Sequence, residues 1–113
     1  MDRRGLANKT ARDMVALLRR SYRPQQVILF GSLAGGRWTG ESDIDLLIVK
    51  RTSLPFYRRM AKVREVVSSV RRGHAFDPIV LTPREVKARL ARGDKFIEGI
   101  LANGKVLHGS SAN

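Results

Sequence analysis

Apolar residues along the chain change their spacing several times, and each change marks an element. From Ala11 they recur at Met14, Val15, Leu18 and Tyr22, the spacing of a helix with one buried face. Thr10, with Asp13 three residues on, reads as a short capping box, so this helix is expected to begin at Thr10 and to close before Pro24. Gln26-Val27-Ile28-Leu29-Phe30 is instead a continuous run of strand formers, halted by Gly31-Ser32. Residues 33–42 are rich in glycine and alanine and predict a short helical turn or loop. Ile44 to Val49 is a second strand. Pro55 opens a helix with Phe56, Met60, Val63, Val67 and Val70 on one stripe, and Gly73 is expected to end it. Ala75 to Leu81 is a third strand. Pro78 inside it cannot donate a ladder hydrogen bond, which predicts an edge or bulge position.

The last third is more sharply punctuated. Thr82-Pro83-Arg84-Glu85 combines a cap, a first-turn proline and a glutamate placed to complete a capping box, so a helix carrying Val86 and Leu90 runs to about Arg92. Asp94 caps another, with Phe96, Ile97, Ile100 and Leu101 apolar and Gly104 past its end. Val106-Leu107 adds a short final strand. No repeat, linker or low-complexity segment interrupts this order. One α+β domain over residues 1–113, helices packed on a small sheet, is the simplest result, with residues 1–8 and 109–113 flexible.

Composition changes this picture in two ways. The absence of cysteine removes disulfides, thiolate metal sites and cysteine nucleophiles. The formal charge of +12, with sixteen arginines against six lysines, implies an anionic partner: nucleotide, nucleic acid or acidic protein. The arginines are scattered from Arg3 to Arg92 and the aromatic content is only 6%, which does not favour nucleic-acid binding. Most individual arginines read as solvated helix faces. The first ten residues lack the apolar core of a signal peptide, and no apolar run approaches the roughly 20 residues of a membrane span. A cytoplasmic protein with no membrane partner is expected.

The candidate chemistry lies in Gly31-Ser32, Ser42-Asp43-Ile44-Asp45 and Asp77. Asp43 and Asp45 are two apart at the head of a strand, so their side chains share a face. Two carboxylates that close repel, and both ionise comfortably only beside a cation. A hard divalent ion with oxygen ligands explains why an apolar strand carries them. Asp77, early in the next predicted strand, offers a third oxygen. The three together suit two ions roughly 4 Å apart that clamp an in-line phosphoryl displacement. Gly31 lets backbone N–H groups approach an anion, and the Ser32 hydroxyl adds a donor. Each piece alone has a bland reading: a turn, a loop cap, an edge-strand charge. Their order and strand placement favour function.

Gly31-Ser32, a gap of nine residues, Ser42-Asp43-Ile44-Asp45-Leu46 and a later-strand Asp77 resemble the minimal nucleotidyltransferase family of the DNA polymerase β-like superfamily. The resemblance extends to Glu98-Gly99-Ile100 and Val106-Leu107. It implies a two-layer fold with a mixed sheet, Mg²⁺, and an NTP, often ATP. It implies that Asp43 and Asp45 bind two metal ions, that Asp77 binds one and helps activate the acceptor hydroxyl, and that Gly31 and Ser32 hold the leaving phosphates, with Ser42 beside them. Leu33 and Gly35 stand where relatives often carry arginines, with Arg37 nearby to compensate, and Pro78 directly follows the third acid. Short members of the family are paired with a helical HEPN-domain RNase toxin as its antitoxin, and some adenylylate a tyrosine on it. The acceptor site is therefore expected from such a partner or from self-association. A non-catalytic module that neutralises or scaffolds a partner is the alternative, and an RNA-binding module ranks last. Trp38 suits base stacking or packing equally. His74 and His108, far apart, read as surface or strand-end residues.

Overall fold

The computed structural model describes residues 2–37 and 43–109. Trp38 and Ser42 lie outside them. Among the described residues there are five helices and four strands, in the order α1 Arg3–Ser21, β1 Gln26–Phe30, α2 Gly31–Gly35, β2 Ile44–Val49, α3 Phe56–Val67, β3 Phe76–Leu81, α4 Pro83–Ala91, α5 Lys95–Asn103 and β4 Lys105–His108. The sheet order is β3-β2-β1-β4. β1 runs antiparallel to β2 and to β4, whereas β2 and β3 are parallel, so the sheet is mixed as expected.

The first helix starts earlier than Thr10. Asp2 caps it, its carboxylate accepting from the Gly5 N–H at 2.6 Å. Residues 3–8, expected to be flexible, form the opening turns, and Ala7 is fully buried. Thr10 sits in the helix interior with its hydroxyl accepting from Arg72 at 3.1 Å, and Asp13 pairs with Arg72 and Lys9 instead of a helix end. A capping box is a local signal; here burial of an earlier turn outweighs it. The third helix also differs from its pattern. It ends at Val67, short of Gly73, and Phe56, assigned to the buried stripe, is 46% exposed. The Thr82 box is present in full, and Asp94 caps α5 through the Ile97 N–H at 3.1 Å.

Strand alternation builds two cores. Val27, Leu29, Ile44, Leu46, Ile48 and Val80 face α1 and α3 in the larger one. Ile28, Leu47, Val49 and Leu81 face Val86 of α4 and Ile97 and Ile100 of α5 in the smaller. The two-layer arrangement thus carries a second, thinner helical cover on the opposite face.

Pro78 occupies the edge strand, as its missing N–H demands. The Ile44 and Lys50 N–H groups donate to Ala75 and Leu81 carbonyls, so odd-numbered residues of β3 pair with β2 and even-numbered ones face outward. Pro78 therefore forfeits no ladder bond. The outward Val80 carbonyl accepts from buried Arg59 at 3.2 Å, and the same guanidinium grips Glu85 at 2.6 and 3.2 Å and the Leu54 carbonyl at 2.8 Å. Arg59 thereby covers the open edge and fixes α3 to the start of α4.

Candidate active site

The ladder between β2 and β3 sets Asp45 directly opposite Asp77, and the ladder between β1 and β2 sets Asp45 opposite Phe30. Asp45 shares strand parity with Leu47 and Val49, and Asp77 with Ile79 and Leu81, so both acids project on the face that α4 and α5 cover farther along. At this end of the sheet the cover is incomplete: Asp43 and Asp77 are exposed and Asp45 is half-buried. One carboxylate oxygen from each lies within 4.8 Å of the other two. Pro78 leaves Asp77 in register.

Such crowding has an electrostatic cost. Burial, followed by repulsion from Asp77 and Asp43 and a hydrogen bond with Asp77, pushes the Asp45 carboxyl up to about 6. A divalent cation removes that penalty. The donor set consists wholly of carboxylate oxygens, which suits a hard ion such as Mg²⁺. The acidic triad fits metal binding.

Gly31 joins this cluster from β1. It adopts φ +75°, and a Cβ placed there would overlap Asp45 Oδ2 and lie 3.0 Å from Asp45 Cγ. Only glycine meets both conditions. Ser32 follows in α2, its carbonyl accepting from the Arg37 N–H at 2.9 Å, while the Arg37 side chain is exposed. Leu33 is buried and cannot supply the charge that an arginine would bring there. Two contributors escaped the sequence reading. Arg4 donates to the Gly36 carbonyl at 3.2 Å, bringing a guanidinium to the end of α2 from 32 positions away. A cavity of about 390 Å³, lined by Phe30, Gly31, Phe96 and Gly99 among others, opens beside Gly31. In the sequence Phe96 reads only as one of four apolar positions of α5; its exposure is set by the tertiary structure.

The chain belongs to the nucleotidyltransferase domain family, whose model matches residues 12–108. It is also similar to a crystal structure from Sulfolobus solfataricus of a protein named as a candidate nucleotidyltransferase, at 28% identity and a TM-score of 0.55 over 76% of each chain. No curated protein gives a significant match. Family, fold and acidic cluster together define a nucleotidyl-transferring enzyme. Among the described residues no helix is long and apolar enough to cross a membrane.

Proposed function

We propose that the protein transfers a nucleotide, AMP from ATP, to a hydroxyl of a partner protein, at the site formed by Asp43, Asp45 and Asp77. The convergence of these three carboxylates within 4.8 Å at an open sheet end carries the reading. All three would hold Mg²⁺, two ions when fully loaded, which supplies charge neutralisation on the phosphates and on the attacking and leaving oxygens. Gly31 and Ser32, with Ser42 and Arg37, hold the β and γ phosphates. The acceptor oxygen attacks the α-phosphorus, the bond from that phosphorus to the β-phosphate oxygen breaks, and pyrophosphate leaves. Asp77, exposed at the edge strand, takes the proton of the acceptor hydroxyl. Positioning and electrostatics supply most of the acceleration.

The acceptor is a tyrosine on a HEPN-type helical RNase, which the protein silences as an antitoxin. The exposure of Asp43 and Asp77 supports this, because a macromolecular hydroxyl can reach them without entering a closed pocket. The second reading, neutralisation by contact alone, is favoured by one feature: buried Leu33 and neutral Gly35 leave α2 without the arginines that would grip a triphosphate.

The test incubates the protein and Mg²⁺ with α-labelled or γ-labelled ATP and host-cell extract, beside Asp43→Asn. Label retained from the α position alone, and lost in the variant, establishes the transfer and gives the acceptor's size. Absence of transfer to a partner that the protein captures tightly favours the contact reading.

A further inference from the structure

The cavity beside Gly31 lies on the same face of the sheet as the carboxylates. Phe30 is the ladder partner of Asp45 and shares its face, and the cavity runs from Phe30 and Gly31 on one side to Lys95, Phe96, Gly99 and Asn103 of α5 on the other. Gly31 belongs to both: it lines the cavity, and its bare Cα leaves room for the Asp45 carboxylate. The cavity thus adjoins the acidic cluster through Gly31. Its volume of about 390 Å³ falls within the roughly 300–1,000 Å³ of small-molecule sites.

Its lining is mostly apolar or small. Phe96 is 52% exposed at the cavity wall. It meets Phe30 edge-to-face, ring centres 5.7 Å apart at 85°, and both rings line the cavity. Gly99 lies in the middle of α5, where glycine weakens a helix, yet no atom stands within 4 Å of the position its Cβ would take. A side chain there would simply occupy the cavity. Asn103 also lines the cavity and offers an amide donor and acceptor.

We infer that this groove seats the base of the nucleoside triphosphate, stacked on Phe96 with its polar edge toward Asn103. The inference rests on the nucleotide reading above and adds where selectivity for the base resides. A flat aromatic ligand with a hydrogen-bonding edge matches apolar walls and one amide. The competing occupant is the acceptor. In an in-line displacement it approaches opposite the leaving pyrophosphate. With pyrophosphate at Gly31 and Ser32 as proposed above, that direction is the Asp77 side on β3, whereas the groove lies on the β1 side of Asp45, which favours the base.

The experiment compares binding of MgATP and of magnesium tripolyphosphate, which has no base, by isothermal titration to the wild-type chain, Phe96→Ala and Gly99→Leu. Gly99→Leu plugs the groove without touching the fold, and its melting temperature should equal or exceed that of the wild type. The expected result is at least a tenfold loss of MgATP affinity in both variants, with tripolyphosphate affinity within about twofold of wild type. Unchanged MgATP affinity in both variants overturns the inference, as does equal weakening of the two ligands. Lost transfer with intact MgATP affinity would assign the groove to the acceptor and overturn it too. A wild-type chain that binds neither ligand removes the nucleotide reading itself, an outcome distinct from the other three.

Discussion

Asp45 on β2 and Asp77 on β3 are direct partners across a parallel ladder, and the Asp45 carboxylate leans into the space that Gly31 leaves by having no side chain. Three strands thereby converge where charge is least comfortable. A proton or a cation at this point relieves the repulsion, and this has measurable consequences.

The Asp45 contribution to the stability of the metal-free protein, read as the difference between wild type and Asp45→Asn, should fall as pH rises through the range between the ordinary carboxylate value and about 6. The Asp45 carboxyl titrates higher in the folded chain than in the unfolded one, so the folded state binds the extra proton. Its stabilising contribution is complete below the unfolded value and is gone above the folded one. Mg²⁺ or Mn²⁺ competes with that proton. The rise in melting temperature on adding metal should therefore be small at pH 5 and grow toward pH 7.5. A metal-induced rise independent of pH would contradict the account.

Asp45→Asn removes the repulsion along with the metal ligand. At pH 7.5 without metal this variant should melt higher than the wild type. It should show no further gain with Mg²⁺, and nucleotidyl transfer should fall by at least about a hundredfold. Thermal scans with and without metal, beside a labelled-ATP assay, check all three. A variant that melts lower than wild type at that pH would mean that the carboxylate is held by something other than the acidic cluster.

Gly31→Ala and Gly35→Ala should move stability in opposite directions. Alanine at position 31 meets φ +75° and the Asp45 carboxylate, so a loss of more than about 1 kcal/mol is expected. At position 35 the space is open and the backbone is not left-handed, so a gain of about 0.4–1 kcal/mol follows. Urea unfolding of the two variants distinguishes the cases, and similar midpoints would mean that Gly31 is not under the constraint described.

Arg59→Met should cost about 2–3 kcal/mol, because the change strips partners from the Leu54 and Val80 carbonyls and from Glu85. The Arg59 guanidinium holds the Glu85 carboxyl below its usual range, so this pair stabilises the wild type above the ordinary glutamate value and fades as pH falls. The variant's deficit, read from denaturant midpoints, should shrink from pH 7 toward pH 4. An unchanged deficit over that span would show that packing, not the ion pair, sets the cost.

Much of this architecture was legible because it is written in local periods. The run from Gln26 to Phe30, the Pro-containing third strand and the Thr82 and Asp94 caps each occupy a few consecutive residues, and the structure places strands and helices there. Asp43, Asp45 and Asp77 stood out for a similar reason. Two acids at the head of an apolar strand are an inconsistency visible without coordinates, and one that chemistry must resolve. Thr10 shows where local signals mislead. A cap residue competes with burial of the preceding turn, and packing of Ala7 against the core together with the Asp2 cap accompanies the longer helix.

The sequence by itself determined the order of the elements, the α+β class and the three acids of the candidate site, because these depend on neighbours in the chain. Tertiary structure decided what rests on distant partners. It paired Asp45 with Asp77 across 32 residues of chain, aimed both at the thinner core, and carried Arg4 to α2 and Arg59 to the open edge. It also turned Phe96 from an apparent core residue into the wall of a groove. A helical period fixes which residues share a face, but not how far along the sheet that face stays covered, and α5 leaves Phe96 half exposed beside Phe30.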